Sequence, residues 1–342
     1  MPKQLCCTEP GKLAFIDYDE PALDPGQVRI QNEFGAAKHG TEMSFYKGYA
    51  APRGRFDGKL QLFDGKAAAG PRRGQPLGNM NVGRVVEIAS DVANLSVGDR
   101  VLAYGPFQPT RVVAADRLWK LGADTSWKSA VCLDPADFAM VAVRDGHVRV
   151  GDAVAVFGLG AIGLMVVQLA RLSGAMPLIA VDPLPNRRAA AEKLKADLVL
   201  DPSACDAGRE IKEATSGRGG DVVIDYSGNR RALQDALRAV AFGGRVVCGS
   251  YPPPYDAGLD FGAEAHMNRP DIIFSRANSD PNRDHPRWDN DRVYETCLKL
   301  ILAGQLSGDE IVQPVVPFAS LIEEYPKIPG EPGSNIKLGV RY

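Results

Sequence analysis

Apolar and polar positions alternate in short runs through the first third of the chain. The runs are Gln27-Val28-Arg29-Ile30-Gln31, Gly83-Arg84-Val85-Val86-Glu87-Ile88, Arg100-Val101-Leu102-Ala103-Tyr104 and Arg111-Val112-Val113-Ala114. A period of two predicts half-buried strands of a barrel-like domain over residues 1–122. Pro25-Gly26 and Val97-Gly98-Asp99 predict turns between them. Near residue 123 the pattern changes to continuous apolar runs separated by helical stretches. Asp152–Phe157, Leu178–Val181, Asp221–Asp225, Arg245–Cys248 and Pro270–Ser275 read as buried strands, and Leu164–Leu172 and Asn229–Val240 as helices. Residues 123–276 are therefore expected to form a six-stranded, mostly parallel sheet with helices on its faces. The tail, 277–342, carries a polar loop at 280–287, a helix over Arg292–Ala303 and β-like pieces at 311–316 and 336–340. It is short for a domain of its own and is expected to complete the N-terminal one.

Composition narrows the function classes. The chain has 342 residues, enough for two domains. A net charge of −2 gives no reason to expect nucleic acid or a membrane surface as partner. No apolar run reaches the ~18 residues of a membrane span, and Met1-Pro2-Lys3-Gln4 lacks the apolar core of a signal peptide. The six cysteines, at 6, 7, 132, 205, 248 and 297, form no C-x-x-C pair, and all six read as reduced, buried thiols. The expected setting is the cytoplasm.

The central motif is Gly158-Leu159-Gly160-Ala161-Ile162-Gly163. It follows one apolar run, opens a helix, and precedes a second run that ends at Asp182. Strand, glycine turn, helix, strand and acid are the parts of a dinucleotide-binding βαβ unit. Gly158 permits the turn, Gly160 lets the backbone approach a pyrophosphate, and Gly163 lets helix and strand pack closely. The helix start offers N–H groups and partial positive charge, with Ala161 and Ile162 in its first turn. Asp182 is expected to accept hydrogen bonds from the adenosine ribose, which favours NAD over NADP. Arg187 and Arg188 pull the other way.

On these residues the chain resembles the medium-chain dehydrogenase/reductase superfamily, zinc alcohol dehydrogenase-like group, over almost its whole length. Val97-Gly98-Asp99-Arg100-Val101, Val150-Gly151-Asp152, Gly220–Asp225, Gly243–Val247 and Ser334-Asn335-Ile336-Lys337 carry the resemblance. The nearest texture is the sugar and polyol dehydrogenase-like branch, including relatives of bacteriochlorophyllide dehydrogenase with a G-T-E motif. The resemblance implies an α/β fold, a Rossmann-type doubly wound parallel sheet plus a GroES-like β-rich barrel. It implies Ser227, Gly249, Ser250 and Lys337 as further cofactor contacts, and a homodimer or homotetramer, with the strand near 270–276 as the contact. Metal-using members place a Cys before G-T/S-D, a His-Glu after Gly, and a later acid or Cys. Here those positions read His39, Asn79-Met80 and Asp134. An Asn amide and a Met thioether are poor zinc ligands, so no catalytic zinc is expected. No four-cysteine structural site is present either.

Without a metal, hydrogen-bond donors must stabilise charge on the substrate oxygen. His39 is the expected proton-exchange group. Thr41 stands at the family's relay hydroxyl and is otherwise a cap for a helix beginning at Glu42. Asn79 is expected to donate to the substrate oxygen, Lys38 to supply positive charge, and Asp134 to orient His39. Lys47, Arg53, Arg55, Lys59, Lys66, Arg72 and Arg73 outnumber Asp57 and Asp64. This stretch reads either as a solvated loop or as a steering surface for an anionic substrate. Trp288 and His285 are pocket-lining or surface-packing residues. Three functions stay open at this point. The first is an NAD-dependent, zinc-independent dehydrogenase that interconverts a small polar secondary alcohol, sugar or polyol-like, and its ketone by hydride transfer. The second is a zinc-free C=C or quinone reductase, and the third a non-catalytic NAD-binding protein.

Overall fold

The computed structural model describes residues 1–49, 54–65, 74–277, 279 and 281–342. Arg53, Lys66, Arg72 and Arg73 of the basic stretch, and Asp280 of the polar loop, lie outside the described residues. The chain divides into two compact units, Met1–Trp127 with Val312–Tyr342, and Lys128–Ile311.

The first unit opens with β1 (Lys3–Glu9), β2 (Lys12–Asp17), β3 (Gln27–Ala36) and α1 (His39–Tyr46). Three short pieces follow, β4 (Phe56–Asp57), β5 (Leu62–Phe63) and β6 (Gln75–Pro76). Then come β7 (Met80–Ile88), β8 (Arg100–Tyr104), β9 (Thr110–Ala114) and β10 (Trp119–Lys120). All four runs predicted from alternation are strands. Val28, Ile30, Val85, Val101, Ala103 and Val113 turn inward to one core.

The second unit follows α2 (Trp127–Ala130) with α3 (Leu133–Asp145), β11 (Val154–Phe157), α4 (Ala161–Leu172), β12 (Leu178–Val181) and α5 (Pro185–Lys193). It continues with β13 (Leu198–Leu200), α6 (Ala207–Ala214), β14 (Gly220–Asp225), α7 (Arg230–Ala239), β15 (Val240–Cys248), α8 (Glu264–Asn268), β16 (Asp271–Phe274) and α9 (Asn290–Leu302). The chain then returns to the first unit with β17 (Val312–Pro317), α10 (Leu321–Glu324), α11 (Lys327–Gly330) and β18 (Lys337–Arg341).

The second unit holds a six-stranded sheet in the order β13-β12-β11-β14-β15-β16, with every pair parallel. β11 and β12 are buried along their whole length, as a sheet covered on both faces requires. The strand order reverses between β11 and β14, and sheets of this kind take their ligands beyond the carboxyl ends at such a point. β16 is the open edge, with Ile272 and Phe274 exposed. In the first unit a seven-stranded sheet runs β10-β8-β7-β3-β18-β17, with β9 also paired to β3. β18 lies antiparallel to the end of β3 that leads into α1.

The boundaries differ from the hydropathy reading. The first unit runs to Trp127, not to 122, and residues 277–311 belong with the second unit. The cause is α9, whose buried stripe Val293, Cys297 and Ile301 packs on α3. Only the strands after Ile311 complete the first unit. The cysteines are free, and Cys205 is half-buried where all six were expected inside.

Candidate active site

In the second unit the glycine turn has the geometry its sequence predicts. Gly158 has φ +86°, and a Cβ there would meet the Ser227 nitrogen at 2.5 Å. A Cβ on Gly163 would meet the Gly158 carbonyl oxygen at 1.9 Å. A Cβ on Gly160 would meet nothing within 4 Å, so the space above this residue is open to a ligand. Gly160 is also the N-cap of α4 and supplies no side-chain cap. The first-turn N–H groups of Ala161, Ile162 and Gly163 therefore have no helix carbonyl to bond and suit a pyrophosphate.

Asp182 does more than the sequence indicates. It is buried, and its Oδ2 accepts the Leu159 N–H at 2.8 Å while Oδ1 accepts the Leu184 N–H at 2.9 Å. The carboxylate braces the glycine turn and the start of α5. Arg187 stands 3.5 Å from Oδ2, and its buried Nε has no hydrogen-bond partner among the described residues. Arg188 is engaged elsewhere, with the Asp182 carbonyl at 2.9 Å and Asp201 at 3.0 Å.

At the end of β14, Asp225 accepts the Ser227 N–H at 2.8 Å, and Ser227 Oγ accepts the Asn229 N–H at 3.0 Å. Burial pushes the Asp225 carboxyl up to about 6, against the pull of Ser227. A Cβ on Gly249 would enter the Tyr226 ring at 2.2 Å, so this glycine is needed for packing as well as for any cofactor approach. Ser250 flanks Gly228, where a Cβ would lie 3.8 Å from it.

The first unit gathers a second cluster at the start of α1. Lys38 is the N-cap and His39 the first helical residue, so the helix starts before Glu42 and Thr41 does not cap it. Thr41 is exposed in the first turn. His39 Nε2 accepts the Leu338 N–H of β18 at 3.0 Å, so β18 rather than a carboxylate orients this nitrogen. In the neutral ring the proton then sits on Nδ1. Asp134 is buried in the first turn of α3, in the other unit. Asn79 is held by its backbone, to the Ala36 carbonyl at 3.1 Å and from the Gly105 N–H at 2.8 Å. Its buried Nδ2 has no partner among the described residues. Lys337 is buried, and its Nζ donates to the Ala37 carbonyl at 2.6 Å.

Glu42, read in the sequence only as part of a motif, is the centre of this cluster. It is buried, and its Oε1 accepts N–H bonds from Lys38 at 2.8 Å and Gly78 at 3.1 Å. Its Oε2 accepts the phenol of Tyr325. Burial raises its carboxyl above the ordinary range, while Tyr325, the Lys38 and Gly78 amides and the Lys337 charge oppose the shift. Gly78 is fixed as glycine by φ +112° and by the Phe107 nitrogen, 2.4 Å from where its Cβ would lie.

The chain is 43% identical to D-guloside 3-dehydrogenase of Escherichia coli K12, over 99% of this chain and 100% of that one. It belongs to the zinc alcohol dehydrogenase-like group of the medium-chain dehydrogenase/reductase superfamily. The family model described as zinc-binding dehydrogenase matches residues 161–282 of this medium-chain dehydrogenase/reductase. Among solved structures it resembles 2R,3R-butanediol dehydrogenase of Bacillus subtilis, with TM-score 0.77 and 24% identity over 100% of both chains. A zinc-binding dehydrogenase of Sinorhizobium meliloti 1021 bound to NADP has TM-score 0.77 and 20% identity, over 100% of this chain and 99% of that one. The protein is thus an alcohol dehydrogenase-like oxidoreductase with Rossmann and GroES-like domains.

Among the described residues no three of His, Cys, Asp and Glu gather as a metal ion requires. His39 Nε2 is committed to Leu338, and Met80 is fully buried in β7. The Glu42 oxygens already accept three hydrogen bonds. No helix among the described residues is long and apolar enough to cross a membrane.

Proposed function

We propose that this medium-chain dehydrogenase/reductase is an NAD-dependent, zinc-independent enzyme that interconverts a ring secondary alcohol of a glycoside and its ketone. The observation that carries this is Asn79. Its buried Nδ2 lacks a partner among the described residues, at a position that the motif resemblance matches to a metal ligand in metal-using members of the family. Leaving a buried amide donor unpaired costs about 1–3 kcal/mol, and an arriving oxygen recovers it. A donor placed before the reaction is what stabilises a developing alkoxide. The 43% identity to a D-guloside 3-dehydrogenase supports a pyranoside as substrate.

The nicotinamide cofactor supplies the hydride acceptor. Gly158, Gly160, Gly163 and the first turn of α4 would hold its pyrophosphate, and Ser227, Gly249 and Ser250, which follow the carboxyl ends of β14 and β15 in the same sheet, would be further contacts. On the first unit, Asn79 donates to the substrate oxygen. His39, its Nε2 tied to the backbone, presents Nδ1–H as a second donor to the substrate oxygen, and the alcohol proton leaves to solvent as the hydride passes to NAD⁺. The test is formation of NADH from NAD⁺ and methyl α-D-guloside, with other methyl glycosides and butanediol as comparisons. Turnover of butanediol but of no glycoside would overturn the substrate class.

The choice of NAD rests on Asp182. Its buried carboxylate, fixed by two backbone amides, would repel a 2′-phosphate. Fluorescence titration is expected to show NADH binding at least about tenfold tighter than NADPH, or about 1.4 kcal/mol. Equal or tighter NADPH binding would mean that Arg187 leaves Asp182 to pair with the phosphate, and would contradict the NAD assignment.

A further inference from the structure

The two groups that face the substrate in the reading above come from separate parts of the first unit. His39 begins α1, and Asn79 sits in the turn before β7. One carboxylate oxygen joins them. Glu42 Oε1 accepts the amide of Lys38, the residue before His39, and the amide of Gly78, the residue before Asn79. Oε2 is taken by Tyr325, the residue after α10. β18 closes the frame from the other side. Lys337 donates to the Ala37 carbonyl at 2.6 Å, Leu338 donates to His39 at 3.0 Å, and Ala37 donates back to the Leu338 carbonyl at 3.0 Å.

We propose that Glu42 is the positioning residue of this active site, its carboxylate locking the His39 and Asn79 backbones into one frame and Lys337 serving as its buried counter-charge. The inference rests on the assignment of Asn79 and His39 made above. A bound metal would fix ligand side chains from separate loops at one point. Here a buried acid does the equivalent through the backbone, which leaves the Asn79 amide free to meet the substrate. A protonated carboxyl accepts poorly at the oxygen that carries its hydrogen, and an amide offers one acceptor oxygen where the carboxylate offers two. Charge and both oxygens are therefore needed together. Preorganised donors lose their effect when misplaced by about an ångström, with losses of about 100-fold.

The experiment compares Glu42→Gln, Asn79→Ala and the double variant, each with NAD⁺ and methyl α-D-guloside, scored for kcat and KM separately, for NADH affinity and for melting temperature. Glu42→Gln is expected to lower kcat by about 100-fold with little change in NADH affinity. The double variant is expected to lose clearly less than the product of the two single losses, because part of the Glu42 effect acts through the Asn79 group already removed. Independent, multiplying losses would overturn the proposal. So would a Glu42→Gln enzyme that melts earlier but turns over at the wild-type rate, since that is the mark of a purely structural residue. If Glu42→Gln does not fold, Glu42→Asp is read instead. It keeps the charge but withdraws the oxygen by one methylene, and the same outcomes decide. An Asn79→Ala enzyme of wild-type kcat would overturn the underlying site assignment, whereas an impaired Asn79→Ala beside an unimpaired Glu42→Gln would overturn the role of Glu42 alone.

Discussion

A Gly163→Ala variant is expected to lose NADH binding and thermal stability together, while Gly160→Ala loses binding alone. The two glycines lie in one turn, but the space at each differs. A methyl on Gly163 would meet the Gly158 carbonyl oxygen at 1.9 Å, so the α4 start must move away from β11. Overpacking of this kind costs about 1–3 kcal/mol. In a domain of this size each 1 kcal/mol lowers the melting temperature by about 2–4 °C. The displaced turn also carries the Leu159 amide off Asp182 and disturbs the site for the adenosine half of the cofactor. A methyl on Gly160 meets no protein atom within 4 Å, so folding should not register it. It stands instead where a pyrophosphate would pass. Differential scanning fluorimetry and NADH fluorescence titration separate the two effects. A Gly160→Ala protein with wild-type NADH affinity would show that the cofactor does not approach this backbone.

Asn79→Ala is expected to lower kcat by about 10²–10³ while leaving NADH affinity and melting temperature near wild type. The loss matches removal of one preorganised donor to an oxyanion, about 2.7–4 kcal/mol. Stability should hold because the buried amide nitrogen has no hydrogen-bond partner among the described residues. Removing a buried unpaired donor relieves a desolvation cost. Steady-state kinetics with methyl α-D-guloside and a melting curve check both halves. A stable variant of full activity would remove Asn79 from the chemistry.

What could be read from the sequence was what local pattern controls. Alternation located the strands of the first unit, because a half-buried strand repeats every two residues. The βαβ unit was legible because turn, helix and acid lie within one short stretch of chain. Glu42 was not, because its partners Gly78 and Tyr325 are 36 and 283 residues away. The same holds for the His39 contact with Leu338, 299 residues distant, which commits a nitrogen that the motif alone leaves open. Asp182 was found by spacing, yet spacing says nothing of the two backbone amides that occupy its oxygens. The tail was misplaced for a similar reason. Val293, Cys297 and Ile301 declare an apolar helix face, but only the fold shows that α3 covers it.

Metal content measured beside turnover tests the central claim most directly. Purified protein oxidising methyl α-D-guloside with NAD⁺ is assayed for zinc before and after dialysis against a strong chelator. The expected result is zinc far below one ion per chain and an unchanged rate, because the proposed site relies on hydrogen-bond donors at Asn79 and His39 and on no metal ligand. One zinc per chain, with activity lost on chelation and restored by zinc alone, would contradict a metal-free mechanism built on Asn79 and His39.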